Sequence, residues 1–216
     1  MKFILALIVV VLFITSCNTS ENKPDPITPK LPDLLATFPN SSGLAVTVSS
    51  TGGIDQDNPF FKSLGNNGRA CVTCHQASEG WTITPEGVQE RFETTQGQDP
   101  IFRLVDGANS PFADTSSLEA RRGAFSMLLQ KGLIRVGMPI PEEAEFVLEA
   151  VDDPYGFASS KELSLFRRPL PTTNLRFLST LMWDGRETVK NQTMHLNLVT
   201  QANSATVTHA EASRDL

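Results

Sequence analysis

The chain has 216 residues and a formal net charge of −6, with 18 Lys and Arg residues against 24 Asp and Glu residues. This mild acidity argues against a nucleic-acid partner, because the phosphate backbone attracts basic surfaces. The length is sufficient for one hydrophobic core, or for one core with appendages.

Residues 1–17 are predicted to be a lipoprotein signal peptide. Lys2 supplies a positive start, and residues 3–14 form an unbroken apolar run that is too short to span a bilayer. The run ends in I-T-S-C, which resembles a bacterial lipobox whose cysteine, here Cys17, becomes the acylated first residue. The alternative is an ordinary signal peptide with a chance cysteine. We expect a lipid-anchored protein on the periplasmic side of a bacterial membrane, at the outer membrane.

Residues 18–40 are polar and proline-rich and show no apolar period, so they are predicted to form a flexible tether. Residues 41–216 are predicted to be the folded domain. At its start, weak alternation predicts a strand over 43–50, and a short helix is predicted over 58–65, closed by glycine.

The central motif of the domain is Cys71-Val72-Thr73-Cys74-His75. It reads C-x-x-C-H, the attachment signal for one c-type haem. Two cysteines at this spacing can form thioether bonds to the two vinyl groups of a porphyrin. The adjacent His75 then becomes the proximal ligand of the haem iron.

Three other interpretations of the motif are weaker. A zinc site would need a second pair of ligands, and the remaining cysteine, Cys17, is assigned to the lipid anchor. A dithiol redox pair would need a thioredoxin-like strand and helix around it, and none is predicted. A disulfide between residues three apart is uncommon. All three cysteines are therefore accounted for by one lipid and one haem.

The elements after the motif are predicted from caps and apolar periodicity. They lead us to expect a mainly α, cytochrome-c-like helical domain around one covalent haem, with a small β-hairpin and long loops. In chain order they are a helix over 84–95, a helix over 116–132, a hairpin pairing 133–138 with 145–151, a helical turn over 162–166 and a last helix over 188–203.

Several segments together resemble the di-haem cytochrome c peroxidase/MauG superfamily. Residues 64–76 resemble its first haem segment. Residues 171–176, followed by W-D-G-R at 183–186, resemble its P-T-L-x-N segment leading to F/W-D-G-R. Gln201 and Glu211 match the spacing of its Q-A pair and distal-pocket glutamate. The resemblance covers roughly residues 58–211.

The family carries a second C-x-x-C-H in a C-terminal domain, and this chain has only one. We therefore expect the chain to be the N-terminal half of a longer protein, or a truncated reading frame. The resemblance implies an enzyme once the second haem domain completes it.

The face of the iron opposite His75 decides between two functions. Methionine ligation would make a mono-haem electron carrier, and Met138 is the best candidate because G-M-P at 137–139 resembles the ligand loop of small cytochromes c. An open face would let peroxide bind. The resemblance then implies that Glu211 and Gln201 are distal-pocket groups. His209, two residues before Glu211, is the alternative acid–base group or distal ligand.

The implied activity is the reduction of hydrogen peroxide, or a related haem-based oxidation, with electrons relayed from another haem. The redox partner would be a small cytochrome, a cupredoxin or the second haem domain, and the membrane would be contacted through the lipid anchor. Calcium stays open, because loops can supply its oxygen ligands.

The W-D-G-R segment is predicted to be structural, with Asp184 and Arg186 as a charged pair, Gly185 in a tight turn and Trp183 packed near the haem. Arg186, together with Arg69 and Arg103, is a candidate partner of the haem propionates.

Overall fold

The computed structural model describes residues 34–210. The signal peptide, Cys17, most of the tether and Glu211 lie outside these residues. About 30% of the described chain is helical and 15% is in strands, which form two small antiparallel sheets. The expectation of a mainly α domain is therefore wrong, because loops make up the remainder.

A β-hairpin opens the described chain. Strand β1 (Leu35–Asn40) pairs with β2 (Gly43–Val48) in antiparallel register. The strand predicted over 43–50 is confirmed, but the tether prediction is wrong for 35–40. The alternating pattern of Leu35–Asn40 finds its partner in the strand that follows it, so these residues are ordered by pairing and not extended as a linker.

The first α-helix confirms its prediction. Helix α1 (Pro85–Thr95) begins after Thr84, whose hydroxyl accepts a hydrogen bond from the Gly87 amide at 3.1 Å. It ends at Gln96, which adopts a left-handed conformation. Its buried side chains, Val88 and Phe92, lie on one face because they are four residues apart.

The helix predicted over 116–132 is broken into α2 (Leu118–Ala124) and α3 (Ser126–Lys131). The break lies at Phe125, which is buried in the core and leaves the helical conformation. The side chain of Asn109 bonds to both helices there, donating to the Gly123 carbonyl at 3.1 Å and accepting from the Met127 amide at 3.1 Å. The break is tolerated because Asn109 satisfies backbone groups that the helix leaves unpaired.

The second sheet differs from the predicted hairpin. Strand β3 (Ile134–Met138) pairs with β4 (Leu163–Arg167), so the pairing of 133–138 with 145–151 and the helical turn over 162–166 are both wrong. The pair carries an ion pair at its start, because Nη1 of Arg135 lies 2.9 Å from the carboxylate of Glu162, the residue before β4.

The last helix, α4 (Met194–His209), begins and ends later than the prediction of 188–203. Asn197 causes the delay, because its buried side chain accepts a hydrogen bond from the Val189 amide at 3.1 Å and holds the preceding segment in a turn. Thr193 caps the helix through the Leu196 amide. Within residues 34–210, no helix combines the length and apolar character needed to cross a membrane.

The main core lies between helices α1, α2 and α3 and the loop that joins α1 to α2. It surrounds a row of three rings, Phe92, Phe102 and Phe125, with successive centroids 5.2 Å apart. The other buried members are Ile83, Val88, Ile101, Ala108, Ala124, Leu128 and Leu129, and Cys74 of the C-x-x-C-H motif packs against this cluster.

Candidate haem-attachment site

The C-x-x-C-H motif forms one compact helical turn. Residues Cys71–Thr73 are a 3-10 helix, and the amides of Cys74 and His75 both donate to the Cys71 carbonyl, at 3.2 and 3.1 Å. The Thr73 hydroxyl closes the start of the turn by accepting from the Ala70 amide at 3.0 Å. Both cysteines have free thiols, so the alternative of a disulfide between them is not found.

The imidazole of His75 is held by the protein backbone. Its Nδ1 lies 3.0 Å from the Trp81 carbonyl oxygen, which can only accept, so Nδ1 carries the proton. Burial lowers the pKa of His75, the carbonyls of Trp81 and Leu170 oppose that change, and the charge of His209 adds to it. A lowered pKa favours the neutral ring, whose lone pair is then on Nε2. Imidazoles that ligate metals are usually held in this way.

Trp81 is fixed in place by its own backbone bonds. Its amide donates to the Gln76 carbonyl at 2.8 Å, and the Gln76 amide donates back to the Thr82 carbonyl at 2.9 Å. Its indole Nε1–H donates to the Thr47 hydroxyl of β2 at 2.8 Å. The first hairpin is thereby attached to the segment that orients His75.

Aromatic side chains surround this side of the motif. The rings of Phe60 and Phe61 pack edge-on against Trp81, with centroids 5.7 and 6.3 Å away, and Phe60 also lies 6.2 Å from the His75 ring. Phe38 of β1 adds a further edge-on contact to Trp81 at 6.2 Å. The surroundings of His75 are therefore largely apolar.

The two thiols are not activated. Burial raises the pKa of Cys71, and it raises the pKa of Cys74 to about 11, with smaller opposing effects from charged groups such as Arg69. Dithiol oxidoreductases need a thiolate, and hence a lowered pKa. The motif does not have the electrostatics of such a redox pair.

No group of three His, Cys, Asp or Glu side chains within residues 34–210 is placed to hold a metal ion. The pair of cysteines therefore lacks the additional ligands of a tetrahedral zinc site in that part of the chain.

The end of α4 docks against the segment that leads into the motif. A Cβ atom on Gly65 would lie 1.9 Å from the Ala210 carbonyl oxygen, so the backbones touch at this position. The side-chain amide of Asn67 donates to the His209 carbonyl at 3.0 Å, and the Asn66 amide donates to the Ala210 carbonyl at 3.2 Å. The C-terminal end of α4 is thereby held against the segment that leads into Cys71.

A buried charged cluster joins the same elements. Arg69 and Asp106 are each only 3% exposed, and Nη1 of the arginine lies 2.7 Å from Oδ2 of the aspartate. The same oxygen lies 2.6 Å from Nδ1 of His209. Burial alone would raise the pKa of Asp106, but the charge of Arg69 and the bond to His209 outweigh it and lower that pKa. No local pattern marks Asp106, so sequence reasoning missed it.

The other predicted site residues that the structure describes lie on α4 and β3. Gln201 is half-buried on α4, and His209 is the last residue of that helix. Met138 is the last residue of strand β3, paired with Leu163, and Pro139 follows it directly. Glu211 and Cys17 lie outside the described residues.

The W-D-G-R segment forms the predicted charged pair and turn. Nη1 of Arg186 lies 2.8 Å from Oδ2 of Asp184, and Gly185 has a φ of 74°. Trp183 is 85% exposed, so the described residues bury little of its side chain.

The three arginines named as propionate candidates all have protein partners. Arg69 is buried in its ion pair, Arg103 donates to the Asn67 carbonyl at 2.6 Å, and Arg186 bonds to Asp184.

No family model, curated protein or solved structure matches this chain. The resemblance over residues 58–211 therefore stays a prediction, and the function is inferred from the residues of the site.

Proposed function

We propose that this chain is an exported haem c protein of the peroxidase-like class. The observation that carries the proposal is the bond between Nδ1 of His75 and the Trp81 carbonyl, within a helical turn that also holds two free thiols. A ring held through Nδ1 presents Nε2 as a ligand, and the cysteines are placed one turn earlier. This donor set fits covalent haem and fits zinc or dithiol chemistry poorly.

In this proposal Cys71 and Cys74 hold the haem through thioether bonds, and His75 holds its iron. The bound haem supplies one-electron redox chemistry and, if its other face is open, a place where peroxide can react. Phe60, Phe61 and Trp81 keep water away from the proximal ring. Their apolar contacts favour a neutral His75, the form that binds a metal.

The position of α4 supports the peroxidase-like function over a pure electron carrier. Its C-terminal end docks beside the segment that leads to Cys71, and that end carries His209 and precedes Glu211. We propose that Gln201, His209 and Glu211 form the distal group. One of them would accept a proton and donate it again during the peroxide chemistry that a bound haem would supply.

The electrons would come from another haem, in a second domain, or from a small cytochrome or cupredoxin. The proposed location is the periplasmic side of a bacterial membrane, with Cys17 as the lipid anchor. The alternative is a mono-haem electron carrier in which His75 and Met138 would both hold the iron, and it is one outcome of the spectroscopic test.

The test is to express the chain with a cytochrome c maturation system and record optical and EPR spectra, with and without peroxide. Haem that stays attached after denaturation, and is lost in a Cys71→Ala/Cys74→Ala variant, supports attachment at this motif. A spectrum that changes on adding peroxide supports the peroxidase-like function. A low-spin spectrum that does not change on adding peroxide and is lost in Met138→Ala would establish the mono-haem electron carrier instead.

A further inference from the structure

We propose that the outer face of the β1–β2 hairpin docks on the surface of a lipid bilayer. Alternate residues of the two strands point away from the domain, and most of those that do so are apolar. Leu35, Leu44, Val46 and Val48 are 39%, 58%, 52% and 61% exposed. The register brings them together in one patch, through the pairs Leu35↔Val48, Thr37↔Val46 and Pro39↔Leu44.

This part of the chain is also free of charge. Residues 34–54 contain no Asp, Glu, Lys or Arg, although the chain as a whole has a net charge of −6. Moving a charged side chain out of water is costly, and anionic lipid headgroups repel acidic surfaces. The hairpin can approach a bilayer without either penalty, because it carries no group that must be desolvated as an ion.

The position of the hairpin in the chain favours a membrane over a protein partner. Strand β1 begins at Leu35, two positions after residues 1–33, which include the apolar run and Cys17 of the proposed anchor. This step rests on the anchoring that belongs to the proposed function. One face of a two-stranded hairpin is also small beside the roughly 800 Å² per partner of a stable protein interface.

The inner face of the hairpin is bound to the haem segment. Thr47 accepts a hydrogen bond from the Trp81 indole at 2.8 Å, and Asn40 donates to the Ser78 carbonyl at 2.6 Å. Trp81 in turn bonds to His75. A docked hairpin would therefore hold the C-x-x-C-H motif at a set orientation to the membrane.

The test uses haem-loaded protein spanning residues 18–216, which lacks the lipid and the apolar run but keeps every described residue. It is sedimented with neutral phosphatidylcholine vesicles at low and high salt. We expect retention that depends on lipid concentration and not on salt, because the contact is apolar. The double variant Val46→Glu/Val48→Glu should lower retention by about tenfold, because each carboxylate would have to leave water.

Val147→Glu is the matched control, because Val147 is 84% exposed and lies outside the hairpin. It should leave retention unchanged. A second double variant, Val46→Thr/Val48→Thr, keeps β-branched side chains in the strand and so should not unfold the hairpin. It should also lower retention. Three results would each overturn the proposal. The hairpin variants could be retained as well as the parent, the parent could show no retention, or the parent could form a dimer that the hairpin variants dissociate. The haem spectrum is recorded separately, so a failure of haem attachment is distinguished from a failure of docking.

Discussion

Asp106 and His209 are 103 positions apart in the chain, and their side chains meet at 2.6 Å. The contact connects the loop after α1 to the last residue of α4. Asp106 also binds Arg69, which lies just before the C-x-x-C-H motif. One buried carboxylate thus ties the C-terminal helix to the segment that we propose carries the haem.

Replacing Asp106 by asparagine should destabilise the protein strongly. The variant Asp106→Asn would leave the guanidinium of Arg69 buried and without its counter-charge. Breaking a buried ion pair from one side costs about 3–5 kcal/mol. The free energy of unfolding, measured with denaturant, checks this. Asp184→Asn is the matched control, because Asp184 pairs with Arg186 at the surface, and its loss should change the unfolding free energy little.

If Asp106→Asn were as stable as the parent, the ion pair with Arg69 would not contribute to stability as argued.

The same carboxylate should make stability depend on acid pH. The pKa of Asp106 in the folded protein is lowered below its ordinary value of 3.8, so the unfolded chain takes up this proton first as the pH falls. The contribution is complete above pH 3.8 and is lost as the pH falls through the lower pKa of the folded state. Denaturant unfolding from neutral pH down to strong acid checks this. The difference in stability between the parent and Asp106→Asn should shrink only in the acid range, and a difference that grew there would contradict the sign.

The elements that sequence predicted correctly are those whose signals are local. Helix α1 carries its own cap at Thr84 and its own proline at the first position, so its start needs no tertiary information. Strand β3 also has a local pattern, but its partner β4 is distant in the chain, as the bond from Arg135 to Glu162 across 27 residues shows. An apolar alternation cannot distinguish between two downstream candidates.

The residues of the candidate site also differ in whether a local sequence signal marks them. Cys71, Cys74 and His75 lie close together in sequence, so their spacing alone identifies the motif. The bond from His75 to Trp81 depends on a left-handed backbone at Trp81, with a φ of 63°, which a tryptophan does not signal. Asp106 has no motif at all, and only folding brings it to His209.

The bond between the hairpin and Trp81 should contribute measurably to stability. Thr47→Val removes the hydroxyl that accepts from the Trp81 indole, and Trp81 is only 8% exposed. Leaving a buried donor without a partner costs about 1–3 kcal/mol. Thr37→Val is the matched control, because Thr37 lies on the exposed face of the same hairpin and β-branching is kept. Thermal unfolding of both variants checks this, and equal effects would argue against the bond.

The close approach of Gly65 to Ala210 gives a steric prediction. Gly65→Ala would place a Cβ 1.9 Å from the Ala210 carbonyl oxygen, so the end of α4 must move away from the segment that leads to Cys71. Overpacking of this kind costs about 1–3 kcal/mol.

Gly123→Ala is the control, because a Cβ there meets nothing within 4 Å and alanine favours helix α2 by about 0.5–1 kcal/mol. Denaturant unfolding should show opposite signs for the two variants. Hydrogen exchange should show faster opening of α4 in Gly65→Ala alone, because the displaced end of the helix loses its contacts with Asn67 and Arg69.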